Sequence, residues 1–210
     1  VSVSDRSIVS AVLGTAANGI YAISNKFPTL LSSIFAIFNM SWCESATLHI
    51  NSEDRDEFFS DICNTVVKLF TSLGVGLIAC MPFIFPILIN SKYDEAFIYI
   101  PILALGVVFN VGVSLYSSIY IAKKMTKEVA ATSMLGAIIN IVVNVVLIKY
   151  IGLYAAAFST MISYFIMMMY RHFDLKKHLN IKYEKGIFIK TILIFTFAII
   201  LYYQRNIYLD

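Results

Sequence analysis

Charge is what this sequence has least of. Only 14% of its 210 residues are Asp, Glu, Lys or Arg, while 59% are apolar or aromatic. An ordinary soluble domain carries about 25% charged residues. Mean hydropathy is +0.79. A globule of this size still exposes about a third of its unfolded surface, so water could not hold this much hydrocarbon in solution. Soluble, disordered, collagen-like and disulfide-scaffold classes are disfavoured on composition. A polytopic membrane protein remains.

Other absences narrow the chemistry. The three cysteines, Cys43, Cys63 and Cys80, form no CxxC pair and no even set, so they read as small residues packed between helices. A net charge of +3, scattered along the chain, gives no nucleic-acid partner. His49, His172 and His178 fall at helix ends or in loops, where no intramembrane proton relay or metal site would place them. Glu53, Asp54, Asp56 and Glu57 are interrupted by Arg55 and read as a solvated turn. Gly74 and Gly76 lack a following phosphate-loop lysine. The expectation is a non-enzyme with no cofactor and no metal. The opening residues from Val1 do not read as a signal peptide; they read as a piece of a longer polypeptide, entered inside a hydrophobic element.

A membrane-crossing helix needs about 20 mainly apolar residues to span about 30 Å of hydrocarbon. On that ruler the chain divides into a partial helix at 1–13, ending at a turn over 14–19, and six spans. These cover about 20–49, 58–89, 96–122, 129–150, 153–170 and 186–203. The expected fold is a single all-α bundle over 1–210. Loops 51–57, 123–128 and 171–185 share one side. The last two hold Lys123, Lys124, Lys127, Arg171, Lys176, Lys177, Lys182 and Lys185, and Arg55 joins them from the first. The other side holds only Lys92, Lys149 and Arg205. The positive-inside rule places the basic loops in the cytoplasm.

Polar and small residues recur every fourth position in four spans: Asn64, Lys68, Ser72, Gly76 and Cys80; Gly106, Asn110, Ser114 and Ser118; Thr132, Gly136, Asn140 and Asn144; Ser159 and Ser163. Such stripes serve helix–helix contact, because small residues allow close approach and amides bond across. Asn110, Asn140 and Asn144 are bulkier than packing requires, which makes them candidates for a hydrated cavity wall. Pro28, Pro82 and Pro86 fall inside spans, where each removes a backbone donor.

Charges inside spans are costly and functional by default. Arg6 lies about eight residues before Gly14, and Lys26 about nine after Ala17. Both therefore fall roughly 12–14 Å below the turn, near the midplane, with Asp5 beside them. Asp5 could neutralise either cation, or the cations could serve a cavity.

The stretch from Asp5 to Ala46 resembles the second half of bacterial polysaccharide-unit flippases. These are the O-antigen type within the multidrug/oligosaccharidyl-lipid/polysaccharide exporter superfamily. The shared pattern is Asp5-Arg6 in a helix, the Leu13-Gly14 turn, Gly19-Ile20-Tyr21, Lys26-Phe27-Pro28 opening a long helix, Phe38-Asn39, and Trp42 nearer its end. The order of spans and basic loops stays similar through Tyr203. The resemblance implies one lobe of a two-lobe alternating-access carrier in the bacterial inner membrane. It also implies that basic cavity residues, here Arg6 and Lys26, face the diphosphate of a lipid-linked oligosaccharide. The partners it implies are that lipid-linked glycan, membrane lipids and an N-terminal lobe missing from this sequence. With Asp5, Asn110, Asn140 and Asn144 these two cations complete the candidate site. A cation-coupled exporter of the same superfamily is the alternative, and a non-transporting fragment the next. A membrane-embedded transferase would need an intramembrane His or an acidic pair at the cytoplasmic face.

Overall fold

The computed structural model describes the backbone of residues 2–207 and the side chains of 4–204. The side chain of Arg205 and the end of the chain at 208–210 lie outside the described residues, as does Val1. The described chain is a bundle of helices in this order: α1 (Ser2–His49), α2 (Arg55–Leu88), a 3-10 segment (Ser91–Tyr99), α3 (Ile100–Ala122), α4 (Thr126–Ile151), α5 (Tyr154–Leu175) and α6 (Ile187–Ile207).

A straight helix of 48 residues would be about 72 Å long, more than twice a hydrocarbon core. Gly14 resolves this: its φ of 89° and ψ of 174° break α1 into a short arm (2–13) and a long arm (15–49). Only glycine adopts that conformation readily. The break is a reversal. Sixteen residues of straight helix would separate Asp5 from Tyr21 by about 24 Å, yet the Tyr21 hydroxyl donates to Asp5 Oδ2 at 3.2 Å. The turn expected over 14–19 is therefore confined to Gly14, and residues 15–19 are already helical.

Among the described residues, five helical stretches are long and apolar enough to cross a membrane: Ser4–His49, Arg55–Leu88, Ser91–Ala122, Thr126–Ile151 and Ile187–Gln204. The stretch expected at 96–122 is divided. It enters as the 3-10 segment and turns α-helical at Ile100, with Pro101 in the first turn, where its missing N–H is no loss. Helix α5, at 22 residues, is about 33 Å long. It is not among those five stretches, and it packs against both α3 and α4. Its buried line is Ser159, Ser163, Met167, Arg171 and Leu175. Close packing is bought with small residues: a Cβ on Gly106 would meet the Met161 backbone at 3.4 Å.

Helix α3 is the hub, touching α1, α2, α4 and α5. One core gathers around Trp42, Phe59, Phe70, Tyr116 and Tyr120 toward the end that carries the basic loops. There the Trp42 indole Nε1 donates to the Leu115 carbonyl at 3.2 Å. A second core holds Val9, Tyr21 and Ala155–Ala157 near the Gly14 end, and a third joins Phe27, Phe85, Ile100 and Phe195.

The basic loop is shorter than expected, because α5 runs on to Leu175. Arg171 and His172 therefore belong to the bundle. The Arg171 guanidinium, 1% exposed, donates from Nε to Thr132 Oγ1 (3.0 Å), from Nη1 to the Val113 carbonyl (2.9 Å) and the Ser117 hydroxyl, and from Nη2 to the Val129 carbonyl (3.2 Å), Thr132 Oγ1 (2.8 Å) and Ser133 Oγ (3.0 Å). It is a clamp tying α5 to α3 and α4, with neutral acceptors throughout. His172 pairs through Nδ1 with the Tyr116 hydroxyl at 3.0 Å. Asn64 anchors the loop that follows: Nδ2 donates to the Lys182 carbonyl at 2.9 Å, and Oδ1 accepts from the Glu184 N–H at 3.0 Å.

Candidate functional site

The faces of the helices differ in a way that bears on function. On α4 the buried positions are Thr132, Gly136, Asn140, Asn144 and Ile148, a single line four apart. Between these, Met134, Ile138, Val142 and Val145 are exposed hydrocarbon, and Ala137, Ile139, Val143 and Leu147 are half-buried. Helix α6 likewise exposes Ile189, Leu193, Phe197 and Leu201, with Lys190 exposed only at its basic-loop end. These are lipid-facing surfaces.

The exposed face of α1 is mixed. Its long arm exposes Leu30, Ile34, Ile37, Met40 and Leu48, interleaved with Lys26, Thr29, Ser33, Ser41, Glu44 and Thr47, and its short arm exposes Arg6. Three of the hydroxyls satisfy themselves on their own helix: Thr29 donates to the Asn25 carbonyl at 2.6 Å, Ser33 to Thr29 at 3.1 Å and Thr47 to Cys43 at 2.8 Å. Hydroxyls bonded in this way tolerate lipid, so they decide nothing. The charges do decide. Arg6 and Lys26 are exposed on a helix of membrane-crossing length, and neither forms an ion pair among the described residues. An unpaired cation at depth needs water or an anion.

Arg6 and Lys26 do not share a depth. Arg6 is eight residues from the Gly14 break and Lys26 is twelve, so Lys26 lies roughly 6 Å further along its arm from the turn than Arg6.

Asp5 is 0% exposed and turns away from both cations. Its Oδ1 accepts from Asn144 Nδ2 at 2.9 Å, Asn140 Nδ2 at 3.0 Å and Ser159 Oγ at 3.4 Å. Its Oδ2 accepts from Thr160 Oγ1 at 2.5 Å and Tyr21 at 3.2 Å. The expected neutralisation of Asp5 by Arg6 or Lys26 is absent among the described residues. The reason is angular: successive helix residues point about 100° apart, so when Asp5 faces α4 and α5, Arg6 faces out.

The structure thus divides the expected site in two. Arg6 and Lys26 lie on an open face. Asp5, Asn140 and Asn144 form a closed cage, so the two asparagines, each 0% exposed, do not line an open cavity. Asn110 is half-buried on α3 and joins neither group. The stripe expected on α2 also divides: Asn64 is buried, while Lys68, Ser72, Gly76 and Cys80 are exposed. Lys68 pairs there with Glu184. Arg171 and Tyr21 escaped the sequence reading, although extending the Ser159–Ser163 spacing by two steps reaches Arg171. No group of three or more His, Cys, Asp or Glu residues is placed to hold a metal among the described residues.

Fold and faces together define a multi-pass membrane helix bundle, with Arg6 and Lys26 exposed on the α1 flank. No known protein family, curated protein or solved structure matches this chain.

Proposed function

We propose that the chain is one lobe of a flippase that moves lipid-diphosphate-linked oligosaccharide units outward across the bacterial cytoplasmic membrane. The observation that supports this reading is the exposed, unpaired Arg6 and Lys26 on α1, set against the hydrocarbon faces of α4 and α6. In this reading the α1 face lines a watery pathway shared with the second lobe that the family resemblance implies. The loops at 51–57, 123–128 and 176–186 face the cytoplasm.

Transport needs no bond chemistry. A diphosphate is a dense, hydrated anion, and an Arg guanidinium and a Lys ammonium offer it charge-assisted hydrogen bonds. Their offset of roughly 6 Å gives the anion two successive stations along the pathway. The Gly14 reversal holds the Arg6 station beside the long arm, while the glycan follows through the hydroxyl-bearing face of α1.

The test is genetic. In the full-length protein, Arg6→Ala and Lys26→Ala each lower surface polysaccharide at normal protein abundance, with lipid-linked glycan accumulating on the inner leaflet. Unchanged polymer from both variants would discard the assignment.

A further inference from the structure

We infer that the groove between α2 and α6, at the basic-loop end, is a binding site for the headgroup of an anionic phospholipid. This site goes beyond the transport reading and does not rest on it. The groove has a volume of about 180 Å³, and Lys68, Ser72, Lys185, Lys190 and Ile194 line it together with Glu184. Two buried hydroxyls, Thr71 Oγ1 and Thr191 Oγ1, meet at its floor 3.3 Å apart and tie the two helices together.

The groove lies at the depth of lipid phosphates. Helix α2 has 34 residues, about 51 Å of rise, so it extends well beyond a hydrocarbon core of about 30 Å. Its stretch 69–88 carries no charge and spans about 30 Å by itself. Lys68 therefore stands at the hydrocarbon boundary. Lys190 stands at the matching level of α6, because Thr191 is level with Thr71 and the stretch 191–204 is again uncharged.

The charge of the groove is unbalanced. Glu184 pairs with Lys68, while Lys185 and Lys190 form no ion pair among the described residues. Three cations around one acid leave two positive charges unmatched, and phosphodiesters are the anions that a bilayer supplies at this level. Basic pockets between helices at this interface hold such headgroups. Ser72 adds a donor. A hydroxyl facing lipid ordinarily bonds back to its own helix, as Thr196 does to the Ile192 carbonyl at 2.8 Å. Ser72, exposed one turn deeper than Lys68, makes no such bond among the described residues. Further in, a Cβ on Gly76 would meet nothing within 4 Å, and α6 exposes Leu193, Ile194 and Phe197. Acyl chains fit that continuation, and a free anion has no use for it. The occupant is a lipid.

The test is native mass spectrometry of the detergent-purified protein, titrated with phosphatidylglycerol or with phosphatidylcholine of equal chain length. Two unmatched lysines, each giving about fivefold in affinity, make phosphatidylglycerol bind about 30-fold more tightly. Lys185→Gln combined with Lys190→Gln, both exposed and unpaired, erases the preference while circular dichroism stays unchanged. Lys124→Gln combined with Lys127→Gln, an equal loss of charge in another basic loop, leaves the preference in place. Glycerol 3-phosphate, a soluble analogue of the headgroup, forms no adduct at the same concentrations. Equal binding of the two lipids by the unaltered protein would overturn the assignment. So would a preference that survives the loss of Lys185 and Lys190, or one lost equally with Lys124 and Lys127. Glycerol 3-phosphate adducts as abundant as those of the lipid would make the groove a free-anion site instead.

Discussion

Asp5 and Asn144 stand 139 positions apart in the chain and meet at 2.9 Å inside the bundle. This bond, with its neighbour from Asn140 at 3.0 Å, ties the short arm of α1 to α4 and sets which way that arm turns. Because Asp5 faces inward, Arg6 must face outward. The cage is therefore structural support for the outward setting of Arg6.

Removing the carboxylate should loosen the short arm. Asp5→Ala removes the acceptor of Asn144, Thr160 and Tyr21 and one acceptor each of Asn140 and Ser159, and is expected to cost about 1–3 kcal/mol. Unfolding in mixed micelles measures it. A cost within error of zero would mean the short arm is held elsewhere.

Arg171→Lys should fail as a conservative change. The guanidinium spreads six hydrogen bonds over α3 and α4, and an ammonium has three donors on a single atom. The expected loss is about 2–4 kcal/mol of stability, read by the same unfolding assay. A fully stable lysine variant would show that the clamp is dispensable.

Two glycines with open space around them should respond oppositely to alanine. A Cβ at Gly14 or at Gly76 meets nothing within 4 Å. Gly14 nevertheless has φ +89°, so Gly14→Ala is strained by about 1–3 kcal/mol. Gly76→Ala, in regular helix, is neutral or stabilising by up to about 1 kcal/mol. Comparing the two unfolding midpoints separates backbone strain from crowding.

Asn64→Ala should free the segment around Lys182–Glu184 without opening the bundle, because Asn64 holds that segment by its backbone at both of its amide atoms. Limited proteolysis checks this: faster cleavage between residues 176 and 186, with the helices otherwise resistant.

Composition and span length were enough to read the class and most helices, since hydrocarbon thickness dictates both. Every-fourth spacing found the buried line of α4, because that helix touches its neighbours along one narrow seam. The same spacing misled on α2, where Lys68, Ser72 and Gly76 are exposed; a stripe says which residues share a face, and not what that face meets. Arg171 was misplaced in a loop because a lone cation after an apolar run looks like a helix end. Its neutral partners Thr132, Ser133 and Ser117 lie on other helices, far away in sequence. The pairing of Asp5 with Asn140 and Asn144 was beyond reach for a related reason. It depends on the reversal at Gly14, and a helix break alone does not tell a kink from a fold-back.

The most direct test of the charged flank is chemical accessibility in the membrane. Single cysteines at Arg6→Cys, Lys26→Cys, Ile138→Cys and Val142→Cys are placed in a background without Cys43, Cys63 and Cys80, then treated with a charged, water-borne thiol reagent. The α1 positions label readily and the α4 positions do not. Labelling of residues 6 and 26 no faster than that of residues 138 and 142 would put the α1 face in lipid and contradict the account.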